Sequence, residues 1–264
     1  MRIGFCALKR SAIDGSSLGS PMSYKIMQIE TSNRCSLSCV YCPHPTQKRP
    51  KGDMDFETFS VCIELVKRSA NPERRGRKFV HLNHFGEPLL NPLLPKFIAH
   101  AVSRGVEVSF ATNAVDDDRE LFPRQLWREL ADAGLKLVHI STHAKSYKTI
   151  FEHIGDIVTI GSVWEPKKSK MHDWAGQVPI KGLQSCSTRA HSIPCDYEAH
   201  NMFAIAWNGK IAACCYDVEA RAGLDVFDVL QYGFRFRKIS ICKTCCLGRG
   251  DASWIEDKLG AVLG

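Results

Sequence analysis

Three cysteines, Cys35, Cys39 and Cys42, fall in one short run, Cys-Ser-Leu-Ser-Cys-Val-Tyr-Cys. A C-x3-C-x2-C spacing gives three thiolates from a single loop. An iron–sulfur cube takes four ligands, so three leave one iron open to a substrate-like molecule. That vacancy separates a catalytic cluster from one that only carries electrons. Zinc sites favour C-x2-C pairs matched by a second pair or by histidines, and no such partner lies close by. Tyr41, the aromatic residue just before Cys42, strengthens the cluster reading.

A second cysteine set follows in the last third: Cys195, Cys214, Cys242 and Cys245. Phe203–Trp207 and Lys210–Cys214 flank Asn208-Gly209, a hairpin signal, since a type I′ turn needs positive φ at both central residues. If that hairpin folds back on Cys242-Lys-Thr-Cys245, four thiolates surround one point. They would fully ligate a second [4Fe–4S] cluster. A structural zinc ion fits the same spacing, and this set by itself leans slightly toward zinc. Sharing a chain with the first loop reverses the preference.

Composition narrows the class. The chain has 264 residues, 44% apolar and 24% charged, which is a soluble globular chain of one substantial domain with a small appendage. Twelve cysteines would suggest disulfides in a secreted chain. The opening MRIGFCALKR has too short an apolar run for a signal peptide, so reduced cysteines serving as metal ligands in the cytoplasm are the better account. No stretch approaches the ~18 uninterrupted apolar residues of a membrane span. The net charge of +7 raises nucleic acid or an anionic substrate. The basic residues are scattered, with short clusters at Lys48–Lys51 and Arg74–Lys78 that read as solvated loops, which argues against nucleic acid.

The cysteine loop needs a scaffold, and the sequence supplies a βα rhythm from Tyr24. Ile26–Glu30 is strand-like and feeds the loop. Phe56, Phe59, Ile63 and Val66 share a helical face behind Asp55 as N-cap. Phe79–Phe85 is the next strand. Leu94, Phe97, Ile98, Ala101 and Val102 mark a helix closed by Gly105. Val106–Ala111 is a third strand; Leu126, Trp127, Leu130 and Ala131 stripe a helix ended by Gly134. Leu135–Ser141 and Ile157–Val163 are the fourth and fifth strands, and Asp225–Arg237 reads as a helix. Alternation of this kind predicts an α/β fold with a parallel sheet, a partial (β/α)6 TIM-like barrel. Its site belongs at the C-terminal strand ends, where the cysteine loop falls. The expected division is an irregular leader at 1–22, the barrel at 23–165, a basic linker and substrate-covering segment at 166–194, and a hairpin-plus-helix module at 195–264.

Cys35–Cys42 resembles the signature of the radical S-adenosylmethionine enzymes. The last third resembles the Twitch module, a shortened relative of the SPASM auxiliary-cluster domain. Gly209, Cys214 and Asp217 match its hairpin, Cys242 and Cys245 its terminal pair, and Cys195 its isolated ligand. The resemblance implies two [4Fe–4S] clusters, at Cys35/Cys39/Cys42 and at Cys195/Cys214/Cys242/Cys245, with S-adenosyl-L-methionine on the first. It also implies a flavodoxin- or ferredoxin-type reductant. Phe85-Gly86-Glu87-Pro88 stands at the family's Gly-Gly-Glu motif, which holds the methionine amino group; Phe85 replaces the first glycine. Thr112-Asn113 matches the Thr-Asn-Gly at the ribose, with Ala114 in place of glycine. Ser141, Thr142 and His143 end a strand and reach toward adenosine or substrate. Tyr41 joins this cofactor-binding set.

Cys6, Cys62, Cys186, Cys215 and Cys246 are needed by neither cluster. Cys62 lies on a helix face and reads as core. Cys215 reads as a buried or alternate-ligand thiol, or as the hydrogen-atom donor that the family's epimerases use. The resemblance thus points first to an oxidoreductase that dehydrogenates a small sugar- or cyclitol-like alcohol to a ketone, the auxiliary cluster taking one electron. The alternative is an epimerase or an enzyme that modifies ribosomal peptides, although no separate leader-binding domain is evident. A non-catalytic metal protein on nucleic acid is the third reading; its affinity would fall steeply with salt.

Overall fold

A strand at Lys25–Ile29 (β1) begins the sheet that carries the cysteine loop. The computed structural model describes residues 23–165, 173–178, 194–243 and 245. The expected leader at 1–22, the basic stretch Lys167–Lys170, and Cys6, Cys186 and Cys246 lie outside the described residues.

Among the described residues seven further strands follow: β2 (Glu73–Arg74), β3 (Arg77–His81), β4 (Val106–Thr112), β5 (Leu137–Ser141), β6 (Thr159–Trp164), β7 (Met202–Ile205) and β8 (Ile211–Ala212). The sheet runs β6-β5-β4-β3-β1-β7-β8, with β2 pairing β3. Strands β6, β5, β4, β3, β1 and β7 are mutually parallel; β2 and β8 are antiparallel additions. The architecture is the expected α/β fold with a mostly parallel sheet, open rather than closed into a barrel. The hairpin strand β7 pairs directly with β1, Lys25 against Met202 and Ile29 against Ile205. The stretch that the sequence assigned to a C-terminal module thus extends the main sheet.

Helices α1 (Phe56–Arg68), α2 (Leu94–Ser103), α3 (Arg124–Asp132) and α4 (Tyr147–Ile154) fill the crossovers. Two shorter helices, α5 (Asp196–Ala199) and α6 (Val226–Tyr232), belong to the hairpin region. Asp55 caps α1 by accepting from Thr58 N–H at 2.7 Å, worth about 1 kcal/mol. The expected apolar faces bury against one side of the sheet. Phe59 and Phe97 stack at 4.2 Å between α1 and α2, and Trp127 of α3 stacks on Phe110 of β4. Helix α4, capped by Ser146, was not anticipated, because its short polar-flanked stripe is weak in sequence.

Of the strand limits, the end of the second departs furthest from expectation. The second strand stops at His81 rather than Phe85, because side chains take over its ladder. Asn83 Oδ1 accepts from Ala111 N at 2.9 Å, and Glu30 Oε1 accepts from Phe85 N at 3.2 Å. Near its start, Asn71 stands between β1 and β3, bonding both backbone groups of Ile26 and the Phe79 carbonyl. The hairpin forms, but its turn is not type I′. Only Gly209 has positive φ (+79°), and Gly209 N bonds Ala206 O at 2.9 Å. This is the three-residue loop with a left-handed glycine closing a bulge.

Candidate active site

The cysteine loop leaves β1 through four buried residues, Glu30, Thr31, Ser32 and Asn33. Asn33 shapes the loop from within. Its Nδ2 donates to Gln47 Oε1 and Pro50 O, and its Oδ1 accepts from Gly52 N at 2.7 Å. Gly86 of the Phe-Gly-Glu stretch lies against the same segment. A Cβ there would stand 2.1 Å from Ser32 O and 2.8 Å from Asn33 Cα. Backbone cannot yield to that extent, so the position requires glycine.

Short backbone donors meet the thiols. Leu37 N–H points at Cys35 Sγ and His44 N–H at Cys42 Sγ, each at 3.5 Å. The pattern repeats in the second set. Cys195 Sγ receives backbone bonds from Glu198 and Tyr197, Cys214 from Tyr216, and Cys242 from Ile239 at 3.4 Å. An N–H aimed at sulfur favours the thiolate, and such bonds tune a cluster's potential. Without a metal, burial pushes Cys35 up to about 12 and Cys42 up to about 11. A bound iron would remove those protons. Among the described residues no three His, Cys, Asp or Glu side chains converge as ligands of a single ion; a cube instead binds each thiolate at a separate iron. The residues present fit a cube in the donors they turn toward sulfur.

Glu87 is fully buried, and its oxygens serve the chain. Oε1 accepts from Thr112 Oγ1 at 2.6 Å and Leu89 N at 3.2 Å; Oε2 accepts from Asn113 N at 2.8 Å. Burial raises its pKa to about 7, the three donors pulling it partway back. Asn113 carries the link to the cysteine loop, its Nδ2 lying 3.3 Å from Ser36 Oγ and 3.7 Å from Cys35 Sγ. Thr112 and Asn113 at the end of β4, Glu87 after β3 and Cys35 after β1 therefore form one bonded chain. Ala114 takes φ +63°, which explains the glycine usual at that position.

Tyr41, His143 and Trp164 make an aromatic corner. The Tyr41 hydroxyl is hydrogen-bonded to His143 Nδ1, and the His143 ring lies 5.0 Å from Trp164. Burial lowers His143 to about 4, so the ring is neutral. Thr142 gives both its N–H and its hydroxyl to Trp164 O. Ser141 pairs in register with Trp164 at the ends of β5 and β6. Phe85 is buried and sits 5.5 Å from Trp174, which in turn lies 5.1 Å from Tyr216. Trp174 Nε1 also donates to Tyr41 O at 2.8 Å.

The second set gathers in pairs. Cys214 and Cys245 are buried in one cluster with Tyr216, Ala175 and Ile241. Cys195 and Cys242 lie close enough for charge on one to raise the other. Asp217, buried after Cys214, accepts from Ala213 N at 3.0 Å and Arg221 N at 2.6 Å, which fixes the cysteine turn. Cys215 is half-buried; its thiol meets the Tyr197 hydroxyl and its carbonyl accepts from His84 Nε2 at 3.2 Å.

Sequence reasoning missed several members of this site. Trp164 falls just past the expected fifth strand, and His84, Gln177 and Tyr216 carry no motif. Arg49 was counted in a solvated basic cluster, yet it is buried and grips Glu30 with both terminal nitrogens at 2.6 and 2.7 Å. Glu30 also accepts from Trp207 N at 3.1 Å. The Glu219 carboxylate accepts from Lys48 N and Arg49 N. These bonds tie the cysteine loop to the hairpin region.

Residues 29–157 match the model of the Radical SAM superfamily. The PqqA peptide cyclase of Rhodopseudomonas palustris is 30% identical over 148 residues, 56% of this chain and 35% of the relative. That of Bradyrhizobium diazoefficiens is 27% identical over 66% of this chain and 40% of the relative. The chain thus spans between a third and two fifths of the length of these curated relatives. In fold it is similar to BtrN in complex with AdoMet and 2-DOIA, with a TM-score of 0.59 and 15% identity, covering 78% of this chain and 79% of that one. No helix among the described residues is long and apolar enough to cross a membrane.

Proposed function

We propose that this protein is a radical S-adenosylmethionine oxidoreductase. It removes a hydrogen atom from the carbinol carbon of a small alcohol, then a proton and an electron, and releases a ketone. The radical SAM domain supplies the class. The oxidoreductase reading rests on one observation: Trp174 joins the two cysteine sets. Its indole nitrogen bonds Tyr41 O, next to Cys42, and its ring packs on Tyr216, two residues after Cys214.

With both clusters and S-adenosylmethionine bound, the cofactors would supply a 5′-deoxyadenosyl radical for hydrogen abstraction and an acceptor for the remaining electron. The protein's part is placement and exclusion of water. Cys35, Cys39 and Cys42 would hold the first cluster, and Cys195, Cys214, Cys242 and Cys245 the second. Gly86 lets the loop after β3 close on the cysteine loop. Glu87, Thr112 and Asn113 fix that closure and would border the methionine end of the cofactor, while Tyr41, Phe85, Ser141 and Thr142 would line the rest of it. Val40, 71% exposed beside Cys39, leaves this edge open to a flavodoxin- or ferredoxin-type reductant.

A second reading, epimerisation or peptide modification, is favoured by the PqqA peptide cyclase relatives. There Cys215 would return a hydrogen atom to the substrate radical. Product analysis in heavy water separates the two. Dehydrogenation gives a product lighter by about two daltons, two hydrogens having left as one atom plus one proton. A solvent deuterium on carbon, lost in Cys215→Ala with cluster content intact, would instead establish the epimerase.

A further inference from the structure

A groove of ≈ 650 Å³ opens at the end of the sheet away from the cysteine loop. Ser23 and Tyr24, which border it, lead into β1. The cysteine loop leaves the other end of that strand, five residues or roughly 16 Å on. Two lining residues tie the groove to the second cysteine set instead. Ala213 precedes Cys214, and the Ile239 N–H bonds Cys242 Sγ at 3.4 Å. The groove is therefore separate from the space where the radical chemistry is proposed.

Its charge is one-sided. Arg235 and Arg237 line it, both exposed, and among the described residues no carboxylate does. Neither arginine has an ion-pair partner among the described residues. Glu198 pairs instead with the next basic residue, Lys238, at 3.3 Å. Arg68, at the end of α1, places a third positive charge within reach of the Tyr24 hydroxyl. That hydroxyl is buried without a hydrogen-bond partner, an unspent donor at this end of β1.

The arginines stand on a wall that is already fixed. Burial alternates along Phe234-Arg235-Phe236-Arg237, aromatic residues inward and arginines outward, so both arginines share one face. One side chain pins the backbone on either side of Arg235. Asn201 Nδ2 donates to Phe234 O at 2.8 Å, and Asn201 Oδ1 accepts from Phe236 N at 2.6 Å. Phe234 packs on Phe203 with ring centroids 4.3 Å apart, and Phe203 on Tyr24 at 5.4 Å. The wall begins at Gly233, with φ +76° and ψ −175°, a conformation essentially confined to glycine and often found at ligand clamps. The groove also offers an aromatic surface, since Tyr232 lines it and is 76% exposed.

We propose that this groove is a second, non-catalytic binding site for a nucleoside phosphate, with Arg235 and Arg237 holding the phosphates and Tyr232 stacking on the base. Guanidinium forks match phosphate oxygens in pairs, and an exposed ring takes a flat base on its face. A volume of this size suits a ligand of that class. The proposal goes beyond the oxidoreductase reading and needs no turnover.

The test is calorimetric titration of the reconstituted full chain with UDP, uridine and pyrophosphate. S-adenosylmethionine is kept in excess, so that no nucleoside enters the first site. UDP is expected to bind saturably, about tenfold tighter than either uridine or pyrophosphate. In Arg235→Gln/Arg237→Gln its affinity should fall about tenfold, toward that of uridine. In Tyr232→Ala it should fall toward that of pyrophosphate. All three side chains are exposed, and an unchanged urea midpoint shows that each variant keeps the fold. Absence of saturable UDP binding, uridine or pyrophosphate binding as tightly as UDP, or affinity unchanged in either variant would overturn the proposal.

Discussion

Arg49 and Glu30 form a buried, two-pronged ion pair that joins the cysteine loop to the end of β1. Glu30 passes the connection on, to Phe85 N–H after β3 and Trp207 N–H after β7. Four segments that meet at the site are therefore fixed by one carboxylate. Removing only the cation leaves a buried charge uncompensated, which costs about 3–5 kcal/mol. Arg49→Met is expected to lose that much in urea unfolding. Adding Glu30→Gln should recover part of it, because the uncompensated charge is gone. The amide oxygen can accept from only one of the two N–H groups, which bond different carboxylate oxygens. A double variant less stable than Arg49→Met would contradict this.

Gly86 should tolerate no side chain. In Gly86→Ala the new Cβ meets Ser32 O at 2.1 Å and Arg34 O at 2.9 Å. The cysteine loop must shift, with a stability loss of about 2 kcal/mol or more. Iron retained at the first site after reconstitution should fall, while the second set keeps its metal. Wild-type iron content in this variant would refute the packing argument.

Glu87 makes stability depend on pH. Its folded pKa of about 7 lies above its ordinary 4.5, so the folded state binds the proton more tightly. The resulting stabilisation is complete below about 4.5 and is lost as pH rises through about 7. A shift of this size corresponds to about 3 kcal/mol. Glu87→Gln should flatten the wild-type profile between about pH 4.5 and about pH 8 by that order. An unchanged slope would show that the carboxylate is not the titrating group.

Much of the fold was legible because helix and strand periods are local. The stripe Phe59-Ile63-Val66 and the Asp55 cap read directly, as did the helix ends at Gly105 and Gly134. What could not be read is pairing between distant segments. Nothing in Met202–Ile205 says that it docks parallel to β1, since the same apolar run would suit any sheet edge. The site divided the same way. Cys35, Cys39 and Cys42 are marked by spacing, but Arg49 looks like its exposed neighbour Lys48, and His84 gains its meaning only from the Cys215 carbonyl opposite. The turn at Gly209 was misjudged because Asn-Gly serves two hairpin geometries, and the choice depends on how Ala206 and Lys210 pair.

The central claim is that two separate cysteine sets hold two iron–sulfur cubes. Iron and sulfide are counted after anaerobic reconstitution of the wild type, of Cys35→Ala/Cys39→Ala/Cys42→Ala, and of Cys214→Ala/Cys245→Ala. The account predicts about eight irons per chain in the first and about four in each of the others. A wild type holding about four irons, or one zinc in place of the second four, would contradict it.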